Sequence, residues 1–306
     1  MGPSLPRRRP DRNHRDRSPW TSRPAFLLAA SALSLALFGC TLKQIAVRTT
    51  ATVLEDAFAA FSEEEDPVLA EAAAASNLKL LEGLLKGDPD NRALLLLASR
   101  GFGGYAFAFA EDADPARAAR LYLRGRDYGL RLLRLHGFSP PASLAAFQRA
   151  TKTLGREAVP AVFWTAYNWA GWINLSLGSP QALAELPRVA ALMRRVLDLD
   201  ETYFYGGAHV FFGSYYGGRP KIAGGDVEAA RRHFERAAEI AQGKFLMNWV
   251  FYARYFAVPA QDRGAYVRLL RKVTGAPPDI LPAERLANVL ARKRAKRMLE
   301  QADEHF

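Results

Sequence analysis

Helical periodicity runs from Thr52 almost to the end of this chain, and no segment sustains the period-2 alternation of a half-buried strand. That pattern predicts an all-α fold. The spacing predicts helices over Pro67–Leu85, Arg92–Ala110, Pro115–Leu135 with Asp114 as N-cap, Ala142–Gly155, Val159–Leu177, Leu183–Asp198, Tyr203–Tyr216, Asp226–Gln242, Phe245–Ala257, Gln261–Thr274 and Pro282–Ala302. Turn residues separate them, as in Gly87-Asp88-Pro89-Asp90-Asn91 and Gly178-Ser179-Pro180. A weak repeat lies beneath the pairing. Ala230-x3-Phe234-x2-Ala237 has the small–large–small spacing of the second helix of a tetratricopeptide hairpin, Phe212-Gly213-x2-Tyr216 precedes it like a first helix, and Ala118-x3-Tyr122-x2-Gly125 is a looser copy. A small residue on one helix receives the bulky residue of the next. The halves are irregularly spaced, with an insertion at Gly217–Gly225, so a regular 34-residue array is excluded. A divergent helical-hairpin solenoid and a non-repeating bundle both remain.

The first 39 residues belong to a different class. Arg7, Arg8, Arg9, Arg12, Arg15, Arg17 and Arg23 precede Pro24 and an apolar run from Ala25 to Cys40, the chain's one cysteine. A basic region, an apolar region and a small-residue exit make a secretory signal. The exit Leu37-Phe38-Gly39-Cys40 is similar to a bacterial lipobox, in which cleavage after Gly39 exposes Cys40 for acylation. Two or three acyl chains anchor stably where one does not. The expected layout is a cleaved leader over 1–39, a lipidated tether over 40–51 and a helical-repeat domain over 52–306. Thr41 stands where an inner-membrane retention Asp would, which favours the outer membrane. The leader carries seven arginines and two aspartates, so about +6 of the formal +11 stays with the mature chain. That balance gives no reason to expect a nucleic-acid partner. A lipidated Cys40 leaves no thiol for a disulfide, and no other apolar run is expected to span a membrane.

Catalytic and metal-binding patterns are missing from the sequence. It has no zinc-type HExxH, no nucleophile elbow, no phosphate loop and no CxxC pair. His136, His209, His233 and His305 have no partner ligand three or four residues away, so neither a metal nor a cofactor is expected. Asp226, after Gly224-Gly225, reads as a helix N-cap. The aromatic distribution says more. Helical spacing places Trp164, Asn168 and Trp172 on one stripe, Tyr205, His209, Phe212 and Tyr216 on a second, and Asn248, Tyr252 and Tyr255 on a third. Large rings with a few polar tips suit a lined pocket or channel, and they suit equally a bulky repeat core whose polar atoms find backbone partners. As a ligand path, its residues would be Trp164, Asn168, Trp172, Tyr205, His209, Phe212, Tyr216, Asn248 and Tyr252.

The run FWTAYNWAGWINLSL, the segment from LMRRVLDLDETYFYGGAHVFFGSYYGG through GDVEAARRHFERAAEIAQGKFLMNWVFYARYFA, and the closing ERLANVLARKRAKRMLE together resemble the TatT family, the T components of TRAP transporters. The resemblance covers about Ala51 to Phe306 and is strongest from Phe163 onward. It implies an α-helical, periplasm-facing lipoprotein that partners a TRAP-type solute-binding protein and assembles as a homo-oligomer, a trimer. It also implies a channel in each subunit that receives a small organic solute from that partner. No catalytic motif comes with it, and His209 and Asp226 fill family-typical positions without an assigned role. The competing function is a tetratricopeptide-type adaptor for envelope protein assembly, gripping peptide on its concave face. Genes for a TRAP binding protein and its membrane subunits beside this one favour transport.

Overall fold

A computed structural model describes residues 1–2, 53–54 and 56–306. Cys40, the rest of the leader and the tether lie outside the described residues. After a helical stretch over 56–62, twelve α-helices follow: α1 (Pro67–Gly87), α2 (Arg92–Tyr105), α3 (Pro115–Leu135), α4 (Leu144–Thr151), α5 (Val159–Asn174), α6 (Pro180–Ala184), α7 (Leu186–Asp200), α8 (Tyr203–Gly217), α9 (Val227–Ile240), α10 (Met247–Tyr252), α11 (Arg263–Thr274) and α12 (Arg285–Glu300). No strand occurs among the described residues, and the fold is all-α. α2 and α10 each continue into one wider π turn, Ala106–Ala110 and Ala253–Ala257.

Capping chemistry sets most boundaries. Asp66 accepts from the Val68 N–H at 2.8 Å ahead of Pro67, Asp114 from Arg117 at 2.9 Å, Asp226 from Ala229 at 2.9 Å and Asp262 from Ala265 at 2.7 Å. Three boundaries differ from the sequence expectation. The Ala142–Gly155 segment is trimmed to Leu144–Thr151 because Ser143 caps Ala146. Ser179 starts a separate short α6, and Pro187 in the first turn of α7 restarts the chain after Glu185. Pro282–Glu284 forms a tight turn, so α12 begins at Arg285. Arg92–Ala110 also passes the length and hydropathy test for a membrane span, contrary to the expectation of none. In this fold it packs against α1, α3 and α5, and more than half of it is buried.

Successive long helices pack against one another along the chain, with the short α4 and α6 passed over: α1 on α2, α2 on α3, α3 on α5, α5 on α7, α7 on α8, α8 on α9 and α11 on α12. Small residues make the close approaches. A Cβ on Gly213 would lie 2.7 Å from the Phe234 ring, and one on Gly171 would lie 2.5 Å from Tyr122, so the rings of both small–large–small motifs seat on glycines. The array then closes on itself. α12 packs on α1, Arg294 donates to the Phe107 carbonyl, and Arg297 pairs with Asp112 at 2.8 Å. The closure turns a row of hairpins into a ring with a shared interior.

Candidate functional site

The interior is aromatic, and one strained segment shapes its mouth. At the start of α8, Phe204 (φ 47°), Tyr205 (φ 57°) and Gly206 (φ 74°) are left-handed in succession. Only Gly206 adopts this without cost; each of the others pays roughly 1–2 kcal/mol. Such strain survives where the surroundings over-determine it. Here Asn248 donates to the Tyr205 carbonyl at 3.0 Å and to that of Ala237 at 3.3 Å, while the Tyr205 ring stacks on Phe245 at 4.7 Å. At Gly206 a Cβ would approach the Ala237 backbone to 3.1 Å, and with φ at 74° any side chain there would be strained.

This turn floors a cleft of about 620 Å³ lined by Arg100, Thr202, Tyr203, Phe204, Tyr205, Arg236, Glu239, Ile240 and Glu284. Arg100 stands 4.4 Å over the Phe58 ring and 5.7 Å from Trp164, with Glu284 at 3.9 Å. Burial raises the Glu284 carboxyl above the usual range, against the pull of Arg100 and Tyr205. An ion pair at that spacing leaves the guanidinium with donors to spare. Ring contacts then lead inward. Phe204 meets Trp164 at 4.8 Å and Phe163 at 5.5 Å, Trp164 meets Tyr167 at 5.2 Å, and Tyr167 meets Tyr122 at 6.2 Å. The Tyr122 hydroxyl donates to Glu111 at 2.5 Å. Burial raises Glu111 and Tyr122, and Arg294 at 3.9 Å offsets part of the carboxyl's cost. Both π turns border this end: Phe107 of the first stacks on Phe251 at 5.9 Å with Arg294 over it at 3.9 Å, and Phe251 stacks in turn on Tyr255 of the second at 5.9 Å. Side chains from α3, α5, α8, α10 and α12 thus share one polar–aromatic interior, and π turns recur at functional sites.

A second cleft of about 410 Å³ lies between α7, α8 and α9, lined by Arg194, His209, Tyr216, Asp226, Ala229, Arg232 and His233. His209 Nε2 is 3.0 Å from Glu201, and its Nδ1 is 2.9 Å from His233 Nδ1. Glu201 also takes both a long and a short bond from Arg236, and these partners hold its carboxyl down at about 2.

The nine residues picked out by helical spacing fall in several places. Tyr205 lines the larger cleft, Trp164 adjoins it through a 3.2 Å bond to the Tyr203 hydroxyl, and Asn248 braces its floor. His209 and Tyr216 line the smaller cleft, and Phe212 lies beneath Arg194 there. Asn168 is fully buried at the crossing of α2, α3 and α5, bonded to the Ser99 and Trp164 carbonyls at 2.9 and 2.7 Å. Trp172 is half-buried 5.9 Å from Arg126, and Tyr252 packs on Phe234 and Phe256 at 5.1 Å, its hydroxyl raised to about 12 mainly by burial. Sequence spacing missed Arg100, Glu284, Glu111, Arg294, Arg194 and Arg232. Each is an unexceptional charge in its own segment: the packing of α12 brings Arg294 to Glu111, whereas Arg194 and Arg232 stay exposed at the rim of the smaller cleft. No His/Cys/Asp/Glu group suited to a metal occurs among the described residues.

Comparison with known proteins fits this architecture. The chain is 26% identical over 312 residues to an uncharacterized protein of Treponema pallidum (strain Nichols), covering 90% of this chain and 96% of that one. The family model for the TRAP transporter T-component matches residues 63–306, which takes in every helix of the ring. The chain belongs to the TRAP transporter T-component family.

Proposed function

We propose that this protein is a periplasm-facing lipoprotein, anchored through Cys40, that binds or channels a small organic solute in partnership with a periplasmic TRAP-type solute-binding protein. The single observation that carries the reading is the row of side-chain contacts that runs from the 620 Å³ cleft through Phe204, Trp164, Tyr167 and Tyr122 to Glu111. An apolar site with a few fixed polar groups is what a small amphiphilic organic molecule requires. Arg100 supplies a cation at the mouth, and the rings supply apolar walls, so a monocarboxylate with an alkyl or aryl tail matches both. Assembly as a homo-oligomer and placement in the outer membrane belong to the same reading and rest on the family and on Thr41. A peptide-gripping adaptor finds less support, since Phe163, Trp164 and Tyr122 are buried in the packing rather than laid along an exposed groove.

Trp164 offers a readout. Titration of the full chain in detergent with acetate, butyrate, hexanoate and octanoate should quench tryptophan emission with rising affinity along the series, and Arg100→Leu should weaken all four. Co-purification of the tagged chain with a TRAP-type solute-binding protein from the same cells tests the partnership. Flat titrations together with no co-purification would sink the proposal.

A further inference from the structure

The cleft between α7, α8 and α9 is separate from the solute path just proposed. Its charge is one-sided. Arg231 pairs with Glu228 and Glu235, and Arg236 with Glu201 and Glu239, whereas Arg194 and Arg232 have no carboxylate partner among the described residues, and both line the cleft. The guanidinium of Arg194 sits 4.2 Å over the Phe212 ring, which fixes its position. The one carboxylate in the lining, Asp226, spends an oxygen capping Ala229.

Hydrogen-bond logic fixes the two imidazoles. Glu201 is ionised and can only accept, so the His209 Nε2 facing it carries a hydrogen. Burial lowers the affinity of His209 for a second proton, which leaves its Nδ1 a bare acceptor. The bond at 2.9 Å then requires a hydrogen on His233 Nδ1. Burial, His209, Arg194 and Arg232 hold His233 down at about 4, so it is neutral near pH 7 and its Nε2 is a lone pair. The ring stacks on Phe212 at 5.4 Å and Tyr216 at 5.8 Å, so it cannot swing away freely. Two unpaired guanidinium groups therefore share a cleft with one imidazole committed as an acceptor.

We infer that this cleft binds a small oxyanion that carries its own O–H, with Arg194 and Arg232 taking the charged oxygens and His233 Nε2 accepting the hydroxyl hydrogen. Hydrogen phosphate and α-hydroxycarboxylates share that chemistry. Sulfate and acetate lack the donor and would set an oxygen lone pair against the imidazole lone pair.

Isothermal titration of the full chain in detergent, near neutral pH and at low salt, compares phosphate with sulfate and glycolate with acetate. One member of a pair binding more tightly than its donor-free analogue by about tenfold, the size of one unpaired polar contact, is the expected result. Selection of phosphate alone assigns phosphate as the occupant, and selection of glycolate alone assigns a hydroxycarboxylate. Arg194→Leu with Arg232→Leu should weaken every anion, and His233→Phe should abolish the selection while leaving residual binding. A measurement on the unmutated protein guards against misfolded variants: long-range ¹⁵N–¹H spectra should place hydrogens on His209 Nε2 and His233 Nδ1, with His233 Nε2 shifting as the selected anion is added. Equal affinities within both pairs, no heat at millimolar anion, or a hydrogen on His233 Nε2 in the free protein would overturn the inference.

Discussion

Two buried asparagines mark two different regions of this ring. Asn168, at the crossing of α2, α3 and α5, is surrounded by regular helix, and one of its bonds goes to the carbonyl one turn back, Trp164. Gly103 and Gly125 make room for it, since a Cβ at either would come within 2.6 Å or less of its side-chain oxygen or overlap it outright. Asn248, between α8, α9 and α10, instead holds the carbonyl of a left-handed Tyr205. The same residue type on the same kind of helix face spaces straight helices in one region and maintains a strained backbone beside an open cleft in the other. Burial of a polar group therefore does not by itself distinguish a packing element from a support of the site. What separates them is the conformation of the backbone that the group holds.

The largest effect should come from crowding the straight crossing. A methyl at Gly125 would lie 2.7 Å from Asn168 Cγ, and α3 and α5 are too closely seated to part. Gly125→Ala should cost about 3 kcal/mol in chemical denaturation. Adding Asn168→Ala should recover part of that loss, because the two side chains compete for one space. A loss for Gly125→Ala below about 0.5 kcal/mol would show that the crossing is loose, and the contrast would fail on that side.

Removing either asparagine alone should cost about 2 kcal/mol, through unpaired carbonyls and a small void. The two losses should differ in place. Hydrogen exchange at Phe204–Gly207 should accelerate in Asn248→Ala and stay slow in Asn168→Ala. Equal acceleration in both variants would mean that the left-handed turn is held by the general packing rather than by its amide clamp.

Regular helix was legible in the sequence in both regions, and the strained turn was not. The caps at Asp114 and Asp226 and the seating of Phe234 and Tyr122 on glycines follow from local spacing, which the fold preserves. Gly206-Gly207 signals a break. Nothing local announces positive φ at Phe204 and Tyr205, because Asn248 and Phe245 hold it from 40 or more residues away in the chain. The π turns Ala106–Ala110 and Ala253–Ala257 read as ordinary helix, because their apolar pattern continues that of the α-helix before them. The His209–His233 pair spans 24 residues and is created by the packing of α8 on α9, so a search at helical spacing misses it. The lipidation proposed at Cys40 rests on a motif outside the described residues, and its test is chemical: Cys40→Ser should stop palmitate incorporation and release the protein from membranes.

Acidification supplies the smallest and most discriminating test, because the two regions should respond in opposite directions. His233 falls from an ordinary 6.5 to about 4 in the fold, and His209 is lowered as well. The unfolded chain then binds more protons than the native one in that window. The stability these groups contribute is complete above pH 6.5 and is lost as pH falls toward 4. Glu201, held at about 2, stays ionised throughout and keeps its bond to His209. Glu111, beside α3 and α5, is raised by burial, so the native state takes up its proton first and burial becomes less costly as pH falls. Hydrogen exchange followed between about pH 6.5 and 4.5 should therefore show protection falling in α8 and α9, by about 1 kcal/mol once coupling within the pair is allowed for, and holding or rising around Tyr122. His233→Gln is neutral at every pH and should shrink the first change to the part due to His209 while leaving the second. Parallel loss in both regions would mean that the ring opens as one unit, and the strained and straight regions could not then be treated as energetically distinct.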